Sequence, residues 1–86
     1  MEDLQVLRKQ IDEIDQHILK ALSERVTVCQ KIGKYKKQNC LPIQDHDREK
    51  EVFCKVKAAA VEFDLDSTQI ERLFREIINI CSDIQK

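Results

Sequence analysis

Arg25 stands where the hydrophobic pattern of the chain calls for a hydrocarbon. Leu4, Leu7, Ile11, Ile14 and Ile18 follow a three-then-four spacing that continues strictly through Ala21, Arg25, Val28, Ile32 and Tyr35. A guanidinium keeps its proton, so burying it on such a stripe without an anion costs several kcal/mol. No acid lies one turn away on that face: Ala21 and Leu22 precede Arg25, and Val28 and Cys29 follow it. The missing anion is therefore a candidate ligand, a carboxylate or a phosphate. Lys36 comes eleven residues later, which at roughly 100° per residue returns to within about 20° of the same direction. The two Cα atoms would lie about 16 Å apart along one helix, so two long side chains leaning together could grip opposite parts of a small anion. Against this, Lys34, Lys36 and Lys37 together also describe a solvated helix end.

Other polar residues could complete such a site. Arg8 flanks the stripe beside Leu7 and by itself reads as a surface residue. It is separated from Arg25 by about 25 Å of helix, so one chain cannot clamp one small molecule with both; an antiparallel partner helix would bring Arg8 of a second copy to Arg25. In Asp45-His46-Asp47-Arg48-Glu49 the acids suit a helix N-terminus, whereas Arg48 opposes the helix dipole and invites an anion or a neighbouring carboxylate. Glu49 lies one turn before Val52 and Phe53, at the edge between core and water. Gln85 follows Cys81 by four residues and places a neutral hydrogen-bonding group at the end of an apolar face, where fraying is the ordinary expectation. His17 and His46 read as solitary surface histidines.

The elements that must position these residues are helices. From Asp3 to about Lys37 there is no proline, and one continuous helix is the economical reading. Thirty-five residues span roughly 50 Å, against a radius of gyration near 12 Å for a compact chain of this length. Such a helix protrudes, and a protruding apolar stripe needs a cover, which predicts an intertwined homodimer. Gly33 inside it costs about 1 kcal/mol relative to Ala, for which close helix packing or simple tolerance would account. Gln38 to Gln44, with Asn39 and Pro42, is the first loop. Asp45 then caps a second helix from His46 to about Glu62, with Val52, Phe53, Val56, Ala59 and Ala60 on one side. After a break at residues 64–67, Asp66 and Gln69 form a capping-box pattern opening a third helix. Its apolar face runs Ile70, Leu73, Phe74, Ile77, Ile78, Cys81 and Ile84. The predicted fold is all-α, one domain over residues 1–86, with three helices that are long, short and medium.

Composition bounds the function. With 86 residues, one Gly, one Pro, 36% charged and 42% hydrophobic residues, the chain reads as a small soluble helical domain. A net charge of −1 argues against broad attraction to nucleic acid or to a membrane surface. Met1-Glu2-Asp3 carries no basic and apolar leader, and no apolar run approaches the roughly 20 residues that span a bilayer, so a cytoplasmic location is expected. Cys29, Cys40, Cys54 and Cys81 form no C-x-x-C pair and lie far from either His, so no metal site is expected. In that compartment they should be four reduced thiols, most of them packed as small hydrophobes. No Ser/His/Asp set or glycine-rich phosphate loop is evident, which leaves covalent and nucleotide chemistry without support. What remains is a cationic, apolar-walled cavity able to orient a small polyanion and to stabilise developing negative charge.

Five fragments, in order, extend this reading over essentially the whole chain. They are L-x-x-L-R-x-x-I-D-x-I-D from Leu4 to Asp15, E-R at Glu24-Arg25, G-K-x-K from Gly33 to Lys36, P-I-x-D-x-D-R-E from Pro42 to Glu49, and L-F-x-x-I-I from Leu73 to Ile78. In this order and spacing the chain resembles the all-helical chorismate mutases, small intertwined dimers. The resemblance implies a unimolecular, pericyclic rearrangement of chorismate to prephenate, in the synthesis of phenylalanine and tyrosine, with no cofactor, nucleophile or proton transfer. It implies further that Arg25, and Arg8 from the other subunit, bind substrate carboxylates. Lys36 would bridge a carboxylate and the breaking ether oxygen, and Gln85 would donate to that oxygen. Glu49 and the backbone at Asp45 would hold the ring hydroxyl, Arg48 would shape and charge the site, and Ile32, Val52 and Ile78 would form apolar walls. Cys81 stands where relatives carry Ser or Asn near a substrate carboxylate, and a thiol is the weaker donor. Two rival functions follow from the same features: an isochorismate pyruvate lyase with a similar pocket, and a non-catalytic helical dimerisation or regulatory module.

Overall fold

The computed structural model describes residues 3–86; Met1 and Glu2, on which the expectation about a leader partly rests, lie outside the described residues. The helices are α1 (Leu4–Gln38), α2 (His46–Glu62) and α3 (Ser67–Gln85), and the fold is all-α. Each start is fixed by an aspartate whose side chain accepts a free amide of the first turn. Asp3 accepts from the Gln5 amide at 3.4 Å, Asp45 from Arg48 at 3.0 Å and Asp66 from Gln69 at 2.9 Å.

The first two helices end in the same device. Cys40 and Asp64 adopt φ of 55° and 59°, and each reversal is closed by an amide reaching back into the last turn. The Leu41 amide donates to the Lys36 carbonyl at 2.8 Å, and Leu65 to Ala60 at 2.7 Å. This is the Schellman arrangement, here with non-glycine residues at the left-handed position. The first reversal turns the chain after α1 so that the loop returns over the Lys36 side chain.

α3 is the centre of the molecule: it packs on α1 and on α2, which do not pack on each other. The α2–α3 seam carries a Lys57–Glu71 ion pair at 3.5 Å and Arg75 over the Phe53 ring at 5.1 Å. At the α1–α3 seam Gly33 permits a close approach: a Cβ there would sit 3.0 Å from Gln85 Cγ and 3.3 Å from Gln85 Cα, tight enough that Gln85 would have to give way. Among the described residues the buried hydrophobic ones are few, Cys29, Ala60 and Ile78. The chain extends over 58 × 23 × 15 Å with a radius of gyration of 16.2 Å, as a helix longer than its own globule demands. Every residue from Leu4 to Ala21 is exposed, including Ile11, Ile14 and Ile18 at 56%, 51% and 59%.

The structure corrects the cysteine assignment. Cys29 and Cys81 are joined as a disulfide between α1 and α3, with Cα atoms 5.6 Å apart, while Cys40 and Cys54 are free and exposed rather than packed as small hydrophobes. The pair is 52 residues apart in sequence, and only the crossing of the two helices makes them neighbours. No helix of the described residues is long and apolar enough to cross a membrane.

Candidate functional site

A cavity of about 450 Å³ opens where the C-terminal half of α1, the loop and first turns of α2, and the last turns of α3 converge. That is within the usual range for a small-molecule site. Helix α1 contributes Arg25 and Lys36, which line it together because their eleven-residue spacing returns to one face. Ile32 sits between them, and Val52 and Ile78 from the other helices complete an apolar wall.

Lys36 is held from two sides. Its ammonium donates to the Ile43 carbonyl in the returning loop and, at 3.0 Å, to Gln85 Oε1 on α3. An ammonium has three donors, so one is left for a ligand. The Gln85 amide is oriented by this bond: its oxygen faces Lys36 and its Nε2 donates to Cys81 Sγ at 3.0 Å. Gln85 is half-buried against Gly33, so the α3 terminus, where fraying was the ordinary expectation, is packed and hydrogen-bonded.

Arg25 is half-buried and points Nη1 to Cys29 Sγ at 3.7 Å. Among the described residues it has no carboxylate partner within ion-pair distance. Burial, and then the nearby Arg48 cation, push its pKa below the ordinary arginine value. The direction records the same situation as the sequence pattern, a cation partly stripped of water beside another cation. Arg48 lines the cavity but is partly neutralised by Glu51 at 3.4 Å on the surface, the neighbouring carboxylate its position invited. Lys36 likewise lacks an acidic partner among the described residues.

Asp45 and Glu49 add the acidic edge of the cavity. Asp45 is committed to its cap through one oxygen. Glu49 is half-buried and meets His46 Nδ1 at 3.1 Å, so His46, read above as solitary, is the exposed partner of a cavity carboxylate. Arg8 does not belong to this cavity in its own chain; it is exposed on the free half of α1. Cys81 lines the cavity but, bonded to Cys29, carries no S–H to donate, which corrects its expected role as a donor in this state.

Two lining groups escaped the sequence pattern: the Ile43 backbone oxygen and Ser82. A loop carbonyl leaves no side-chain signal. Ser82, three residues before Gln85, carried a signal in its helical spacing to a residue already singled out.

With this geometry in view, similarity to known proteins is informative. The chain is 33% identical over 86 residues to a chorismate mutase from Methanocaldococcus jannaschii, covering 100% of this chain and 87% of that protein. It is 37% identical over 89 residues to a bifunctional chorismate mutase/prephenate dehydratase from Aquifex aeolicus, covering 100% of this chain but only 25% of that protein. The chain thus spans about a quarter of that bifunctional relative. A solved structure of a conserved hypothetical protein from Pyrococcus furiosus superposes with a TM-score of 0.75 at 38% identity, covering 96% of this chain and 95% of that one. The family model for chorismate mutase type II matches residues 7–86, and by that match and these relatives the chain belongs to the chorismate mutase type II family.

Proposed function

We propose that the chain is a chorismate mutase, converting chorismate to prephenate in aromatic amino acid synthesis. The observation that carries this reading is the pairing of two cations without acidic partners, Arg25 and Lys36, with a Gln85 amide bonded to Lys36, at one apolar-walled cavity. The reaction is an intramolecular rearrangement: one C–O bond of the enolpyruvyl ether breaks as one C–C bond forms, with no group gained or lost. It needs a compact conformer and stabilisation of negative charge on the ether oxygen.

In the proposed complex Arg25 takes one carboxylate, supplying the anion its own helix lacks. Lys36 gives its remaining donor to the ether oxygen and an adjacent carboxylate, and the second hydrogen of Gln85 Nε2 is available to the same oxygen. Glu49, with the backbone at Asp45, receives the ring hydroxyl, and Arg48 adds field to the rim. Ile32, Val52 and Ile78 exclude water, which strengthens each of these interactions. Removing one such donor to a developing oxyanion typically costs about 10²- to 10³-fold in rate.

The functional unit is proposed to be a homodimer. The exposed stripe from Leu4 through Ile18 is too apolar to stand in water over its length, and a partner's antiparallel α1 would cover it. That arrangement carries Arg8 of the partner subunit to the second substrate carboxylate and gives two identical sites.

The test is incubation of purified protein separately with chorismate and with isochorismate. Prephenate from chorismate is the expected product; pyruvate from isochorismate as the dominant product would assign a lyase instead, and no reaction with either would leave only a dimerisation module. Mixing inactive Arg8→Ala and Arg25→Ala subunits should restore part of the activity, because one site of each heterodimer retains both arginines. No recovery despite verified exchange sinks the shared site.

A further inference from the structure

The sulfurs of Cys29 and Cys81 lie in the wall of the cavity, each beside a residue the proposed reaction needs. Arg25 Nη1 is 3.7 Å from Cys29 Sγ, and Gln85 Nε2 is 3.0 Å from Cys81 Sγ. Both pairs are four residues apart on their helices, so the link between the sulfurs joins the helical turn of the carboxylate-binding arginine to that of the ether-binding glutamine. With Cα atoms 5.6 Å apart the two residues meet the geometric requirement for a bridge without backbone movement. Cys81 is half-buried while Cys29 is 4% exposed, and both border the cavity. A reagent small enough to enter therefore meets Cys81 first.

We propose that Cys29 and Cys81 are a reversible dithiol/disulfide pair through which a low-molecular-weight disulfide lowers the affinity of the cavity for its dicarboxylate ligand. This rests on the functional reading above. In the oxidising direction the Cys81 thiolate attacks one sulfur of the small disulfide RSSR and expels RS⁻, leaving a mixed disulfide on Cys81. The Cys29 thiolate then attacks Cys81 Sγ and expels the second RS⁻. Two protein thiols lose two electrons in all, RSSR gains them, and the two thiol protons end on the two departing RSH molecules.

The consequence for binding follows from the donor count. As a thiol, Cys81 offers an S–H to a substrate carboxylate; as a disulfide it offers none and only accepts, from Gln85. An S–H bond to a charged acceptor is weak, so the oxidised form should bind chorismate roughly three- to tenfold less tightly. The effect falls on KM more than on kcat, because a carboxylate is present in ground state and transition state alike.

The experiment uses the whole chain with Cys40→Ser and Cys54→Ser, which removes the exposed thiols. Protein equilibrated with glutathione disulfide or with dithiothreitol is alkylated and weighed, and the same samples are titrated with chorismate by calorimetry and assayed for turnover. Expected are no alkylated thiols after oxidant, two after reductant, and a three- to tenfold weaker Kd and higher KM in the oxidised sample. Adding Cys29→Ala should trap the mixed disulfide on Cys81, seen as one added glutathione by mass and none after reductant, whereas Cys81→Ser should abolish the redox dependence of KM by restoring a donor that does not oxidise. Two alkylated thiols after oxidant would overturn the pair, and identical Kd in both states would overturn its link to the cavity. A sample that forms the pair but neither binds nor turns over chorismate in either state overturns the functional reading, and with it the proposed effect on the cavity, while the pair stands by its alkylation count.

Discussion

Replacing Gly33 with Ala sets two effects of known size against each other. In an exposed helix interior the change would stabilise the chain by about 1 kcal/mol, because alanine restricts the unfolded backbone and suits the helix. Here the new methyl meets Gln85 Cγ at 3.0 Å, Gln85 Cα at 3.3 Å and Gln85 Cβ at 3.4 Å, against an optimum of about 3.5–4.0 Å for carbon pairs. One of those atoms is α3 backbone, so relief requires the end of α3 to move by roughly 0.5 Å, and overpacking of this kind costs about 1–3 kcal/mol. The net is a destabilisation of about 0–2 kcal/mol, or up to roughly 10 °C in Tm for a domain of this size. The catalytic consequence is larger in proportion. Gln85 and its bond to Lys36 are displaced together, and since 1 Å of misplacement costs about 10²-fold, kcat for chorismate should fall about tenfold. Thermal melts at matched protein concentration and spectrophotometric loss of chorismate decide the matter, with the neighbouring exposed Lys34→Ala as the control for helix propensity. A Gly33→Ala protein with raised Tm and unchanged kcat would refute the close approach of α1 and α3 and the positioning argument built on it.

Other outcomes follow from the same geometry. Lys36→Ala should lower kcat about 10²- to 10³-fold while the far-UV circular dichroism stays helical, since it removes charge stabilisation and no buried hydrocarbon; unchanged turnover sinks the assignment. Cys40→Gly should raise stability by about 1 kcal/mol in urea titrations, because Cys40 holds φ of 55°. Asp64→Gly, at φ 59°, should gain less, as aspartate tolerates the left-handed region better. Reducing the Cys29–Cys81 link, 52 residues apart in sequence, should cost up to about 4 kcal/mol by loop-closure entropy, read as a fall in Tm of up to roughly 20 °C. Asp66→Ala, which removes the cap on the Gln69 amide, should cost about 0.5–2 kcal/mol.

Much of this protein was legible in one dimension, because its chemistry and its folding signals are both periodic. Asp45 and Asp66 announced the starts of the second and third helices, and both caps form as local chemistry requires; Asp3 caps the first helix in the same way, though the sequence pattern had not assigned it that role. The eleven-residue step from Arg25 to Lys36 was enough to put both cations on one face, since helix geometry needs no tertiary information. Length alone made α1 protrude. The cysteines, by contrast, were misread: composition and spacing describe thiols one at a time, whereas a bridge depends on two Cα atoms approaching across helices. His46 is the surface histidine the sequence suggested but not a solitary one, its partner Glu49 lying one helical turn away on a face the sequence left undecided between core and water.

By itself, then, the sequence determined the three helices, the limits of the first two and the start of the third to within a residue or two, and the identity of the two cations in want of an anion, all of which follow from local propensity and helical periodicity. Only the tertiary structure decided that α3 lies between the others, that Gly33 admits Gln85, that a loop carbonyl and an amide hold Lys36, and that two sulfurs meet in the cavity wall. Those are contacts between residues distant in the chain, set by how helix faces pack, and no local pattern encodes them.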